Sequence, residues 1–465
     1  MNNDTIFALS SGFGKSGVAV IRISGDNLHD FATRLVRGNS APMGRVVTAG
    51  DGGGINPRHA YFCNLGDENG DLIDQCIMIY FAAPQSFTGQ DVIEIHTHGA
   101  TAVINKVFSF LSANNMRMAN PGEFSRRAFM NNKMDLTDVD GLAALLDAQT
   151  DKQRQFALKS MLGGDSETYN AWRSKMIEIS AYAAAILDYD ADDLPLNIDK
   201  QILTKTRELY NEIKNTLSHY NISRAITHGF NIALVGETNV GKSSLFNKLI
   251  GSNRAIVSNT PGTTRDVISA QMDIDGFLVN LSDTAGIRET GDEIEKMGIN
   301  KTKQEQDSAD LILHVYDENS APLGPAQTSL RGQALGRRTN EVGGGGSEII
   351  VINKADKIKT HNNKNAVYTS TKTNQGIDEL LNTIRKKLHE FIDTGKNTIV
   401  INARTHKLLT DTEQELKHAI DEYDGNYDIF AEHVRAAADN IGKILGVISA
   451  NDVMDATFSQ LCLGK

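Results

Sequence analysis

The stretch Gly236-Glu237-Thr238-Asn239-Val240-Gly241-Lys242-Ser243-Ser244 follows an apolar run, NIALV, and leads into SLFNKLIG. Glycines at that spacing let backbone N–H groups close around an anion, and Lys242 puts positive charge on the terminal phosphates of a nucleotide. Ser243 supplies a hydroxyl suited to Mg²⁺. Asp283, Thr284, Ala285 and Gly286 end the next internal apolar run, where Asp283 can reach the Mg²⁺ shell. Asn353, Lys354, Ala355 and Asp356 close a later one. The Asp356 carboxylate can accept hydrogen bonds from guanine N1–H and its amino group, while Asn353 faces the base's other polar edge. Adenine lacks those donors and would leave the carboxylate unpaired. Ser370-Thr371-Lys372 falls where a base-contacting loop closes such a pocket. Any one of these motifs alone reads as a turn after a strand; the four in order predict a GTP site.

The catalytic step is less direct. Many small GTPases place a glutamine just after the DxxG motif to orient the attacking water. Here Ile287 and Arg288 occupy that place. Either a carboxylate of the next segment (Glu289, Asp292, Glu293 or Glu295) substitutes, or the protein binds GTP and hydrolyses it poorly. No arginine finger is evident in the chain. The Asn239 amide oxygen suits a large monovalent cation, and the hydroxyls and carbonyls of 258–264 could cap it, giving another source of charge stabilisation.

These motifs need rigid elements behind them. Residues 229–390 alternate strand and helix, with FNIALV, FLVNLSDT, ADLILHVYD, EIIVINKAD and AVYTS as strands, which predicts a parallel sheet wrapped by helices. Residues 1–118 read as mixed α and β: strands at 17–24, 59–65, 75–82 and 91–98, then a helix after Gly99 with Val103, Val107, Phe108 and Leu111 at helical spacing. From 119 to 225 the pattern is helical. Thr137 with Asp140 resembles an N-terminal cap, Gly163–Gly164 stops the segment, and Trp172, Met176, Ile179, Ala183 and Ile186 mark a second long helix. Helices return around 402–425 and 428–447. The simplest account has three parts: an N-terminal domain (1–118), a helical domain (119–225 and 391–465), and a Ras-like P-loop domain (226–390) inserted into it. The Gly-rich stretch from Asn319 to Ser347 reads as a surface loop.

Composition narrows the class. A chain of 465 residues with 40% hydrophobic and 23% charged residues is ordinary soluble protein of several domains. No apolar run approaches the ~20 residues of a membrane span, and the start MNNDTIFALSSGFG carries no secretory pattern. Three cysteines without short spacing (Cys63, Cys76, Cys462) argue against a disulfide framework or zinc ribbon and fit a reducing cytoplasm. The net charge is −11, so if the protein acts on RNA a partner must supply much of the basic surface. Three further patterns read more simply as structure than as sites. His96 and His98 share a strand face without an evident third ligand. Asp188 to Asp192 begins like a calcium loop but lacks its glycine and terminal glutamate. Arg126-Arg127 is an isolated basic pair.

The sequence resembles the MnmE (TrmE) family of tRNA-modification GTPases along essentially its whole length. The resemblance rests on GVAVIRISG, PQSFTGQDVIEIHTHG (84–99), NPGEFSRRAFMNNKMDL (120–136), the nucleotide motifs, SNTPGTTRD (258–266) and the terminal Cys462-Leu463-Gly464-Lys465. It implies an N-terminal α+β folate-binding dimerisation domain, a central helical domain and an inserted G domain. It implies a homodimer that joins a FAD-containing partner of the MnmG (GidA) type in a heterotetramer. That assembly acts in the cytoplasm, adding an aminomethyl or carboxymethylaminomethyl group to carbon 5 of the wobble uridine of certain tRNAs. Carried over by position, Asn239 and oxygens among Ser258, Asn259, Thr260, Pro261, Gly262 and Thr263 would hold K⁺, and Thr264 would join Ser243 on Mg²⁺. Glu295 would place the water. Arg22, Glu94, Lys133 and Lys465 match contacts to 5,10-methylene- or 5-formyltetrahydrofolate, and Cys462 matches a required cysteine. A ribosome-assembly GTPase without modification chemistry would share the G domain but has no use for the 84–136 block or the C-terminal motif. A one-carbon transferase with a vestigial G domain conflicts with the intact nucleotide motifs.

Overall fold

The structure is a computed structural model that describes residues 4–37, 55–67, 69–188, 197–252, 254–256, 268–283, 308–318, 320, 347–358, 363–393, 399, 401–423 and 426–447. The chain divides into two compact units, residues 1–143 with 441–465, and residues 144–440.

In the first unit, the β-branched run VAVIRI favours β-structure, and burial alternates along it: Ala19, Ile21 and Ile23 are buried, while Arg22 between them faces the other side. The elements are β1 (Ile6–Leu9), β2 (Ser16–Gly25), α1 (His29–Arg37), β3 (Ala60–Gly66), β4 (Leu72–Phe81), β5 (Asp91–Gly99), α2 (Thr101–Ala113), β6 (Arg117–Met118) and α3 (Glu123–Met130). They form a sheet of order β3-β4-β5-β2-β1-β6, antiparallel except for the β1–β6 pair. Phe31 of α1 and Val107 and Leu111 of α2 pack with Ile21, Ile93 and Ile95 in one core. Val103 and Phe108, expected on the buried stripe, are only partly buried against it.

Residues 119–143 cluster with this sheet, and Arg127 shows why. Its guanidinium donates to the backbone oxygen and Oδ1 of Asp4, each at 2.9 Å, to Gln90 Oε1 at 2.9 Å and to Glu123 Oε1 at 3.1 Å. Arg127 is therefore a clamp between α3 and the segment that leads into β1. Arg117 completes the network with Asp4 and Glu123. The hydrogen bond from Arg117 holds the Asp4 carboxyl below its ordinary value. Burial pushes Glu123 up, yet Arg117, the Asn120 amide and Arg127 bring it below the ordinary value overall. Both carboxyls being depressed, their stabilisation is present above their unfolded-state pKa values and is lost as the pH falls through the folded ones. Arg127→Ala is expected to destabilise this unit by about 2–3 kcal/mol, less than for a fully buried pair because Asp4 is 30% exposed. The variant's urea midpoint should also lose part of its dependence on pH below about 4. An unchanged midpoint would show the clamp to be ornamental.

Helix α4 (Leu136–Asp147) starts two residues earlier than expected and is capped by Asp135, not by Thr137. Asp135 Oδ1 accepts from the N–H groups of Thr137 and Asp138 at 2.8 and 3.0 Å, and Asp138 Oδ2 accepts from Asp135 N–H at 3.0 Å. This is a reciprocal carboxylate version of the capping box.

The second unit continues with α5 (Asp151–Met161), α6 (Gly164–Asp188), α7 (Ile198–Ser218) and α8 (Tyr220–His228). Thr150 and Gln153 form a full capping box at the start of α5, and Gly163, at φ +87°, breaks it from α6. Trp172, Met176, Ile179 and Ala183 line the buried side of α6 as their spacing predicts. After α8 come β7 (Phe230–Val235), α9 (Lys242–Ser252), β8 (Arg254–Ile256), β9 (Ile268–Ile274), β10 (Phe277–Asp283), β11 (Leu311–Tyr316), β12 (Ser347–Ile352), β13 (Ala366–Tyr368), α10 (Ile377–Asp393), α11 (Ala403–Asp421) and α12 (Tyr427–Leu445). The sheet order is β13-β12-β11-β7-β10-β9-β8. β13 through β10 are mutually parallel as expected, but β9 and β8 extend the sheet antiparallel, a pair that the sequence reading lacked.

Helices that precede and follow this sheet in the chain meet. The Tyr220 and His406 rings lie 3.9 Å apart at their centroids, and Ile401 N–H donates to Ser223 Oγ at 2.9 Å. The β9–β10 turn, Asp275–Gly276, is clasped from two sides: Gly276 O accepts from Lys152 N–H of α5 at 3.1 Å, and Asp275 Oδ2 lies 3.1 Å from His389 Nε2 of α10.

Candidate guanine-nucleotide site

The phosphate loop joins the end of β7 to the start of α9, so the first-turn N–H groups of that helix face the loop's hollow. Gly236 and Gly241 are required there. A Cβ on Gly236 would stand 2.1 Å from Val315 O, and one on Gly241, at φ +97°, 2.3 Å from Asn353 Nδ2. Asn239 also lies in the left-handed region, at φ +65°, on the exposed outer turn. The Lys242 ammonium is buried under the loop and donates to Gly236 O at 2.8 Å and Glu237 O at 2.7 Å. Burial pushes its pKa down, and the neighbouring Asp283 carboxylate works against that shift. Ser243 Oγ donates to Asp283 Oδ2 at 2.7 Å, which brings together the two oxygen ligands expected for Mg²⁺. Ser244 is exposed beside it.

The base side is built from the ends of β12 and β13. Asn353 is 1% exposed; its Nδ2 donates to Val240 O at 3.0 Å, and its Oδ1 accepts from Thr369 Oγ1 at 3.4 Å. Lys354, in the left-handed region at φ +61°, reaches across the phosphate loop to Asn239 O at 2.7 Å and Asp317 Oδ2 at 3.1 Å. The Asp356 carboxylate stands at the exposed rim, where Ser370 Oγ donates to Oδ1 at 2.6 Å. That bond holds its pKa below the ordinary carboxylate value, with further help from the Lys372 charge, so the group is an acceptor throughout the neutral range. Ser370 N–H is itself fixed to Gln375 O at 2.9 Å. Ala355 N–H donates to Thr369 O at 2.9 Å, tying the two base-side loops. Thr371 is part-exposed on the same loop.

Asn239 through Ser244, Asp283, Asn353 through Asp356 and Ser370 through Lys372 are thus gathered at one end of the sheet. Two contributors were not foreseen. Asp317 receives Lys354 from the end of β11, and Thr369 buttresses Asn353; neither belongs to a motif, although Asp317 directly follows the strand run HVY. Ser258, Asn259, Thr260, Pro261, Gly262, Thr263, Thr264, Thr284, Ala285, Gly286, Glu295, Cys462 and Lys465 lie outside the described residues, as does most of the Asp188–Asp192 run.

On the face of the N-terminal sheet opposite its main core, Arg22 and Glu94 are register partners on β2 and β5. Arg22 Nε and Nη2 donate to Glu94 Oε1 at 3.1 and 2.9 Å. The guanidinium stands over the rings of Phe87 and Phe124, 5.3 and 5.9 Å from their centroids. Lys133 is exposed just beyond the end of α3. His96 Nε2 lies 3.6 Å from Glu94 Oε2, whereas His98 Nδ1 is 2.8 Å from Asp74 Oδ1, so the two histidines have different carboxylate neighbours.

A mostly parallel sheet with a phosphate loop after its first strand, an Mg²⁺-type serine–aspartate pair and an NKAD loop buttressed by a serine defines a P-loop GTPase. The profile of the MnmE helical domain matches residues 136–462, and that of the GTP-binding protein TrmE N-terminus matches residues 5–133. The tRNA modification GTPase MnmE of Agrobacterium fabrum is 36% identical over 464 residues, covering 99% of both chains. The protein of the same name from Anaplasma marginale is 35% identical over 468 residues, covering 99% of each. The chain belongs to the MnmE (TrmE) family of tRNA modification GTPases.

Among the described residues no helix is long and apolar enough to cross a membrane.

Proposed function

We propose that the protein hydrolyses GTP, with potassium as activator, to drive modification of carbon 5 of the wobble uridine in certain tRNAs. It does so in the cytoplasm as a homodimer, with a FAD-containing partner and a tetrahydrofolate one-carbon donor. The observation that carries the nucleotide half is the Asp356–Ser370 pair: an ionised carboxylate aimed at the pocket rim and preorganised by a hydroxyl matches the paired donors of guanine. Full-length identity to relatives named for tRNA modification supports the other half.

The residues present fit the groups that this reading requires. Ser243 Oγ and Asp283 Oδ2 form a hard-oxygen pair suited to Mg²⁺. When bound, the cations neutralise charge that develops on the transferred phosphoryl group. Lys242, buried and anchored by loop carbonyls, would turn its ammonium to the terminal phosphate oxygens. The α9 N–H groups would cradle the inner phosphates. Glu295 is assigned to orienting the attacking water. On the Arg22 face of the sheet, Arg22 offers a cation and Glu94 an acceptor for ring N–H groups, with Phe87 as an apolar flank, a donor set that suits a pterin. Packing of α11 against α7 and α8 supports reading the G domain as an insertion within a helical domain.

Nucleoside analysis of bulk tRNA from a strain lacking the gene tests the proposal. The C5-modified wobble uridines should disappear, and the wild-type gene should restore them. Unchanged uridines with altered ribosomal-subunit profiles would instead favour a ribosome-assembly GTPase.

A further inference from the structure

Two of the three cysteines face each other inside the N-terminal sheet. Cys63 on β3 and Cys76 on β4 are directly opposed register partners, each 3% exposed, and both stand as free thiols. Directly opposed residues on antiparallel strands have Cβ atoms roughly 4.5–5.5 Å apart, and a disulfide needs about 3.5–4.5 Å, so closure asks for a small movement. The surroundings make the pair asymmetric. The Cys63 thiol reaches Tyr61 O at 3.5 Å; the facing Cys76 thiol favours the Cys63 thiolate, while the facing Cys63 sulfur and burial push the Cys76 thiol up. Nothing in the nucleotide site or on the Arg22–Glu94 face uses either thiol, since both point into the opposite, core-side layer with Tyr61, Phe31 and Met78. Position on the sheet supplies access: among the described residues β3 is an edge strand whose only hydrogen-bonded neighbour is β4. Edge strands open at lower free energy than central ones.

We propose that Cys63 and Cys76 form an oxidisable dithiol, a modification site whose co-reactant is a hydroperoxide. On opening of the edge, the Cys63 thiolate attacks the distal peroxide oxygen, breaking the O–O bond and releasing hydroxide or alkoxide, which takes up a proton. The sulfenic acid so formed is attacked by the Cys76 sulfur, the S–O bond breaks, and water leaves. Two thiols and one hydroperoxide thus give one disulfide, one alcohol or water from the peroxide, and one water; both electrons end on the peroxide. A thiol reductant reverses the change. The product ties the edge strand to its neighbour across the β3–β4 turn, so the oxidised sheet resists fraying at that edge.

The test uses the full chain carrying Cys462→Ser, which leaves two thiols. The reduced protein is treated with hydrogen peroxide, denatured, alkylated with N-ethylmaleimide and weighed intact. The expected product carries no maleimide, is about 2 Da lighter than the reduced chain, and yields a crosslinked 63–76 peptide on digestion. Its melting temperature should rise by about 5 °C and return with dithiothreitol. Cys76→Ser should stop at a Cys63 sulfenic acid that a dimedone probe captures, whereas Cys63→Ser should react at least tenfold more slowly. Two maleimide adducts, under peroxide that oxidises the urea-unfolded chain, would overturn the proposal. So would a sulfinic acid on one cysteine with the other still free. These readouts are independent of GTP and tRNA.

Discussion

Replacing potassium by sodium is expected to slow GTP hydrolysis by about 10²–10³, the usual effect of removing one positioned transition-state contact. The chain has Ile287 where a water-orienting glutamine is common and offers no evident arginine finger, so charge stabilisation must come from elsewhere. Asn239 occupies an exposed left-handed turn of the phosphate loop, and its backbone oxygen is already engaged by Lys354, which fixes the turn that carries the side-chain amide. Asn239→Ala should abolish the potassium response with modest loss of GTP binding. Glu295→Ala should also slow turnover by about 10²–10³ but leave the remaining turnover faster in potassium than in sodium, because it acts on water and not on the cation. Equal turnover in the two salts would refute the cation argument. Normal turnover in the Glu295 variant would move the water-placing role to Glu289, Asp292 or Glu293.

Asp356→Asn is expected to weaken GTP binding by about 10³ or more and to raise affinity for xanthosine triphosphate in return. The substitution is nearly isosteric and keeps an acceptor for Ser370, so the loop should stay folded. What changes is the sign of one edge: an amide donor faces the guanine amino group and repels it, whereas the xanthine oxygen accepts from it. Fluorescent-nucleotide titrations measure both affinities. Retained GTP affinity without a gain for the xanthine nucleotide would remove Asp356 from the base-reading role.

How much of this was legible depended on whether the physics was local. The phosphate loop, Asp283 and Asn353 through Asp356 could be read directly, because each function is confined to a few consecutive residues at a strand end. The parallel part of the G-domain sheet was equally readable from its apolar runs. The antiparallel β8–β9 addition was missed although ISAQMDI alternates apolar and polar residues throughout, because its pairing is chosen by the Asp275–Gly276 turn and by β10 and not by the run itself. The start of α4 was misassigned because Asp135 and Thr137 can both cap, and only geometry shows that Thr137 is inside the first turn. Arg127 looked like half of an isolated basic pair. Its partner Asp4 lies more than a hundred residues away, so no sequence window contains the clamp. Thr369 beneath Asn353 and the facing thiols of Cys63 and Cys76 are closer in the chain, yet which side chain meets which is set by strand pairing and not by the local run.

The side chains of Asn353 and Lys354 have a consequence for how a nucleotide is sensed. Both belong to the base-reading loop, yet they end on Val240 and Asn239 of the phosphate loop. The two halves of the pocket therefore cannot order independently. Whichever end of the nucleotide arrives first restricts the conformations open to the other loop, so part of the entropy of closing the second loop is already spent. Guanine and triphosphate are then recognised with a positive coupling free energy: the affinity of the whole exceeds what its parts, measured separately, would multiply to give.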